Sequence, residues 1–135
     1  MRKFDKSPGQ AILEFVVILP IVLLLIMGTF ELARAFSTRI VLLNAAREGA
    51  YYLTNHSSDG VNCGSSCYGQ TILTVQTEAA NSGINVAPGD VTITGCCTVG
   101  NPVQVRVNHS VNLSIYSFFF GPFQISGTEW MVVLK

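Results

Sequence analysis

From Phe15 to Phe30 the chain carries no charged residue, and a carboxylate, Glu14, stands at the edge of that run. Crossing the roughly 30 Å hydrocarbon layer of a bilayer takes about 20 helical residues. Gln10 to Thr29 supplies that length with Glu14 as its sole charge. A chain of 135 residues is one domain by size, and here the first third is committed to an apolar helix rather than to a core. What remains is one small globular head. The position of Glu14 admits two readings. It is either a carboxylate tolerated at headgroup level beside a signal-anchor helix, or a residue placed there for a purpose, since an acid in lipid is costly.

Charge is balanced overall but unevenly spread. Arg2, Lys3 and Lys6 outnumber Asp5 in the first nine residues, whereas the remainder holds five basic and seven acidic residues. A positive flank ahead of an apolar run keeps the N-terminus cytoplasmic and sends the C-terminal remainder of the chain across the membrane. The run is too long for an ordinary secretory signal and lacks a small-x-small cleavage site at its far end, so it is expected to stay with the mature chain. A cut on the near side is a separate matter. The short basic peptide ends at Gly9 just ahead of the helix, and cleavage there makes Gln10 the new N-terminus and Glu14 the fifth mature residue. Arg34, Arg39 and Arg47 are scattered on one helix and Arg106 stands among polar neighbours, which gives nucleic acid no basic patch to bind.

Along the chain, Pro20 lies inside the apolar run, where a missing N–H predicts a kink or a loosened turn. Beyond Gly28 no turn signal appears, and Phe30, Ala33, Phe36 or Ser37, Ile40, Leu43, Ala46 and Ala50 recur at three- and four-residue spacing. One helix over about 10–53, roughly 65 Å long at 1.5 Å per residue, is expected. Ala45, Ala46, Gly49 and Ala50 give it a small-residue surface for close packing. Residues 55–69 read as a loop by composition, 71–82 as a short helix ended by Gly83, and Pro88-Gly89-Asp90 as a turn. Val91 and Ile93 alternate with threonines in a short strand. A long strand comes next, with Val103, Val105, Val107, His109, Val111, Leu113 and Ile115 on one face. Ile125 and then 130–134 supply a last strand, pairing with the long one across the aromatic stretch 116–123, which is expected to close the core. The class is α+β, with a leader at 1–9, a helix at 10–53, and a head at 54–135 holding a short helix and an antiparallel sheet of about three strands.

The four cysteines agree with export. Cys63 and Cys67 form a C-x3-C in a Gly/Ser-rich stretch, and Cys96 and Cys97 are adjacent. Zinc normally takes two C-x2-C-like knuckles, and a vicinal pair makes a poor one, so structural disulfides are expected. Adjacent cysteines close a strained ring, which favours cross-links from the Cys63/Cys67 segment to the Cys96/Cys97 corner. A thiol–disulfide enzyme is disfavoured, because C-x3-C lacks the thioredoxin spacing and no helix N-terminus is evident at Cys63 to lower a thiol pKa. The chain has two histidines, His56 in a loop and His109 on the strand, and no pair of acids placed to share one site. With no G-x-S-x-G, H-E-x-x-H, P-loop or dinucleotide fingerprint either, neither catalysis nor a cofactor or metal is expected.

The glycine at Gly9, the Glu14-Phe15 pair, the apolar run with Pro20 and the segment A-A-R-E-G-A from Ala45 to Ala50 resemble the TadE-like minor pilins, or pseudopilins, of tight-adherence (Flp, type IVc) pilus systems. A weaker likeness extends to the valine-rich strand and the C-terminal I-S-G-T-E-W-M-V-V-L-K. The four cysteines are not part of that pattern. The resemblance implies cleavage by a prepilin peptidase between Gly9 and Gln10 and an assembly role for Glu14, Phe15 and Pro20. It also implies residence in the bacterial cytoplasmic membrane with the head outside, and partnership with other pilin subunits and the pilus assembly platform. The other reading open to the sequence is a single-pass, membrane-anchored extracytoplasmic binding module that is never processed. Sequencing the mature N-terminus separates the two.

Overall fold

Alternation of valine with polar residues builds the centre of the sheet. Val103, Val105, Val107 and Val111 are buried, while Arg106 and Ser110 between them are exposed. The computed structural model describes residues 8–56, 65–95, 99–114, 116–117 and 121–133. Its elements are α1 (Pro8–Asn55), α2 (Ser65–Asn81), a 3-10 turn (Pro88–Asp90), β1 (Val91–Thr94), β2 (Pro102–Val111) and β3 (Phe123–Val132). The strands form one antiparallel sheet in the order β1-β2-β3, and the class is α+β. The chain divides into two compact units, 1–34 and 35–135, and α1 is a single helix through both.

In the second unit, one face of α1 is buried: Thr38, Leu42, Ala45, Ala46, Gly49, Ala50 and Leu53. The small-residue surface at 45–50 does its expected job, because a Cβ on Gly49 would come within 2.5 Å of Val75 on α2 and 3.5 Å of Val105 on β2. The large side chains of the expected stripe turn out otherwise. Phe30, Ala33, Phe36 and Ile40 are exposed, and Leu43 is half-buried. The buried face is centred on the alanines and glycine, where backbones come close, with Leu42 and Leu53 flanking them, and not on Phe36 or Ile40.

Two other expectations are corrected. First, α2 begins at Ser65, so 65–69 are helical where a loop was expected. Tyr68 packs on the core, and its hydroxyl donates to the Gly95 carbonyl at 2.8 Å, a tertiary bond that composition does not reveal. Second, β2 ends at Val111, short of the expected Ile115, which lies outside the described residues. The backbone turns there: the Ser117 N–H donates to the Leu113 carbonyl at 2.7 Å, and the Leu113 N–H donates to the Ser117 hydroxyl at 2.9 Å. Of the aromatic stretch expected to close the core, residues 118–120 lie outside the described residues. Tyr116 and Phe123 meet edge to face, with centroids 5.5 Å apart, and both are more than a third exposed.

Two glycines do work that other residues do poorly. Gly83, at φ +78°, ends α2: its N–H donates to Ala80 O and the Ile84 N–H donates to Ala79 O. That bond pair is a Schellman cap. Gly100, at φ +86°, forms a bulge opposite Val133, donating to Val133 O at 2.8 Å while the Val133 N–H donates to Asn101 O at 3.1 Å. Beyond the bulge, β2 and β3 pair over ten residues, from Pro102↔Val132 to Val111↔Phe123. Cys63, Cys96 and Cys97 lie outside the described residues, and Cys67 is described only as a backbone position in the first turn of α2. The expected disulfides therefore fall outside the described residues.

Candidate functional site in the N-terminal helix

Gly9 and Gln10 occupy the first turn of α1 behind Pro8, a residue suited to a helix start because it has no N–H to leave unpaired. Both are exposed, as are Glu14 and Phe15 one turn further on. Gln10 and Glu14 are four apart and so lie on the same helix face. Pro20 sits within the helix, which continues through it.

The apolar side chains from Ile12 to Met27 are between 42% and 68% exposed, so this stretch buries nothing of itself within the protein. An isolated helix this apolar on all sides is unsuited to water and suited to lipid. Among the described residues, α1 is the one helix long and apolar enough to cross a membrane. The sole hydroxyl of the run is dealt with locally, since Thr29 Oγ1 donates to the Leu25 carbonyl at 2.5 Å. That bond removes the cost of an unpaired polar group in hydrocarbon.

His56 is exposed; its ring stacks on Tyr52 with centroids 4.1 Å apart, and its Nδ1 lies 3.0 Å from the Tyr52 carbonyl. His109 is half-buried on β2, opposite Ile125. Among the described residues no group of three His, Cys, Asp or Glu side chains converges to hold a metal.

Phe123, expected in the core-closing aromatic stretch, and Trp130 and Val132, expected in the last strand, are 40%, 62% and 49% exposed on β3. A signal for them exists in Trp130-Met131-Val132-Val133, where consecutive apolar residues leave both faces of a strand apolar. A strand read by strict alternation has only one such face.

Residues 9–50 match the family model of the TadE-like protein family. The match opens at Gly9, covers Glu14, Phe15 and Pro20, and ends at Ala50 in the small-residue surface. No curated protein and no solved structure matches the chain.

Proposed function

For a chain whose residues 9–50 are TadE-like, we propose the role of a membrane-inserted minor pilin, or pseudopilin, that takes part in assembling a tight-adherence pilus. The observation that carries this reading is a coincidence. The family match contains the exposed apolar run of α1 from Ile12 to Met27, so the membrane-compatible stretch lies within the family's segment.

In this reading the basic peptide 1–9 is a leader, removed by a prepilin peptidase between Gly9 and Gln10. The apolar part of α1 then holds the protein in the bacterial cytoplasmic membrane, with the head on the outer side. Phe30, Phe36 and Ile40, all exposed on α1, are covered by helices of other pilin subunits at the assembly platform. The protein acts as a structural subunit and carries out no reaction of its own.

The test is the mass of the intact protein purified from its own membrane. The expected mass lacks the first nine residues and begins at Gln10. A mature chain that retains Met1 to Gly9 contradicts the proposal and leaves an unprocessed anchored module as the reading.

A further inference from the structure

We infer that Cys67, and not Cys63, is the residue cross-linked to the Cys96–Cys97 pair, so that a disulfide staples the first turn of α2 to the end of β1. By spacing alone the two cysteines of the C-x3-C are equally eligible. The fold does not treat them alike.

Two hydrogen bonds set α2 along β1. In the C-terminal half of the helix, Gln76 Nε2 donates to the Val86 carbonyl at 2.8 Å, where the chain approaches β1. At its N-terminal end, the Tyr68 hydroxyl donates to the Gly95 carbonyl at 2.8 Å, just past the last residue of β1. Helix and strand therefore run antiparallel, and the start of α2 lies at the end of β1. Packing holds them there. Thr71, Val75 and Ala79 are fully buried at four-residue spacing along α2, and Val91 and Ile93 of β1 belong to the same core.

Chain connectivity carries the argument from these residues to the cysteines. Cys67 immediately precedes Tyr68 within α2, and by helical spacing its backbone position continues the line of Thr71, Val75 and Ala79. Cys96 immediately follows Gly95, and consecutive Cα atoms are about 3.8 Å apart. The Tyr68–Gly95 bond thus holds together two backbone positions that each adjoin a cysteine. Cys63 precedes the helix start at Ser65 and is not placed by it. A disulfide needs Cα atoms within about 7 Å, which favours the cysteine already held at this corner. The reaction is thiol–disulfide exchange. Two thiols give up two protons and two electrons to form one S–S bond, and the oxidant, a small-molecule or protein disulfide, is reduced to two thiols.

The experiment equilibrates the full chain, purified in detergent, with buffers of oxidised and reduced glutathione, so its outcome does not depend on which side of a membrane the head occupies. Remaining thiols are alkylated in denaturant, and the chain is cut after Glu78 and Asp90, which separates Cys67 from Cys96. Joined peptides are then identified by mass spectrometry. In Cys63→Ser the expected result is one cross-link, from the Cys67 peptide to the Cys96–Cys97 peptide, and one alkylated cysteine. In Cys67→Ser a cross-link through Cys63 is expected only in a more oxidising buffer. Adding Tyr68→Phe to Cys63→Ser removes the hydroxyl that positions the pair. It should shift the equilibrium toward the thiols by about fivefold, the equivalent of the roughly 1 kcal/mol of a typical hydrogen bond. A Cys63–Cys67 bond in the parent chain overturns the inference, as does a bond within Cys96–Cys97 or three alkylated cysteines in Cys63→Ser. Equal oxidation midpoints for Cys63→Ser and Cys67→Ser, or no shift with Tyr68→Phe, overturn it as well.

Discussion

Gly127 lies where β3 passes beneath α1, and a Cβ there would sit 2.5 Å from the carbonyl carbon of Leu42, 2.6 Å from its oxygen and 2.7 Å from the Leu43 nitrogen. All three neighbours are backbone, so no rotamer change relieves the clash and the helix itself must move. Gly49 differs in kind. Its one severe neighbour is the Val75 Cγ2 at 2.5 Å, and a side-chain methyl can yield further than a helix backbone. Gly127→Ala is therefore expected to destabilise the head by about 1–3 kcal/mol, the usual range for overpacking. Gly49→Ala should cost less, and Gly28→Ala, with nothing within 4 Å of its Cβ, should stay within about 0.5 kcal/mol as surface substitutions do. Chemical denaturation of the full chain in detergent, followed by near-ultraviolet circular dichroism, gives the order. An equal cost for Gly127→Ala and Gly28→Ala would show that α1 does not approach β3 this closely.

At the scale of elements, the cap of α2 offers a cleaner measurement than its packing. Gly83 has open space around its Cβ position but a φ of +78°, so Gly83→Ala tests backbone conformation alone. A left-handed alanine costs roughly 1–2 kcal/mol, and the expected drop in stability is of that size with no change in the sheet. By contrast, Arg47 and Glu129 join α1 to β3 at 3.5 Å, but the arginine side chain is 64% exposed. Such solvated pairs contribute about 0–1 kcal/mol, so packing and not this ion pair holds helix to sheet. Much of this layout was legible from residues. Valine alternation gives β2, the threonine–valine tetrad gives β1, and Gly83 gives the end of α2, because each signal is local. On α1 the buried small residues Ala45, Ala46, Gly49 and Ala50 were legible too, but the extension of that face to Thr38 and Leu42 was not, since it depends on how near another backbone can come. Gly127 within I-S-G-T-E signals close approach of some element but not of α1. The extra turn at the start of α2 depends on the Tyr68–Gly95 bond across 27 residues of sequence, and no local pattern encodes it.

For the whole molecule, the residues of the candidate site are conspicuous in the sequence where the fold adds least. Gly9, Glu14, Phe15 and Pro20 stand out because charge and proline are conspicuous in an apolar run, and the family match over 9–50 falls on the same residues. The role proposed for Glu14 follows from leader removal. Cleavage after Gly9 would place a new cation at the N-terminus of α1, where the helix dipole already has its positive end. Glu14 lies four residues away on the same face and can approach that amine within its own helix. Among the described residues, however, it has no hydrogen-bonding or ionic partner. We propose that a carboxylate from an adjacent subunit, shifted axially by about one turn, would neutralise the amine and be neutralised itself, since leaving either charge unpaired at low dielectric is costly. Glu14→Gln keeps the side chain's size and removes only the charge. If Glu14 acts between subunits, this variant should insert and lose its leader as the parent does, yet fail to co-purify with other pilins or to enter pili. Insertion, leader removal and incorporation are measured separately by carbonate extraction, intact mass and immunoblotting of sheared pili. Normal incorporation of Glu14→Gln and of Glu14→Ala would reduce the glutamate to a tolerated residue at the membrane surface, because an intermolecular pair cannot survive loss of its negative member.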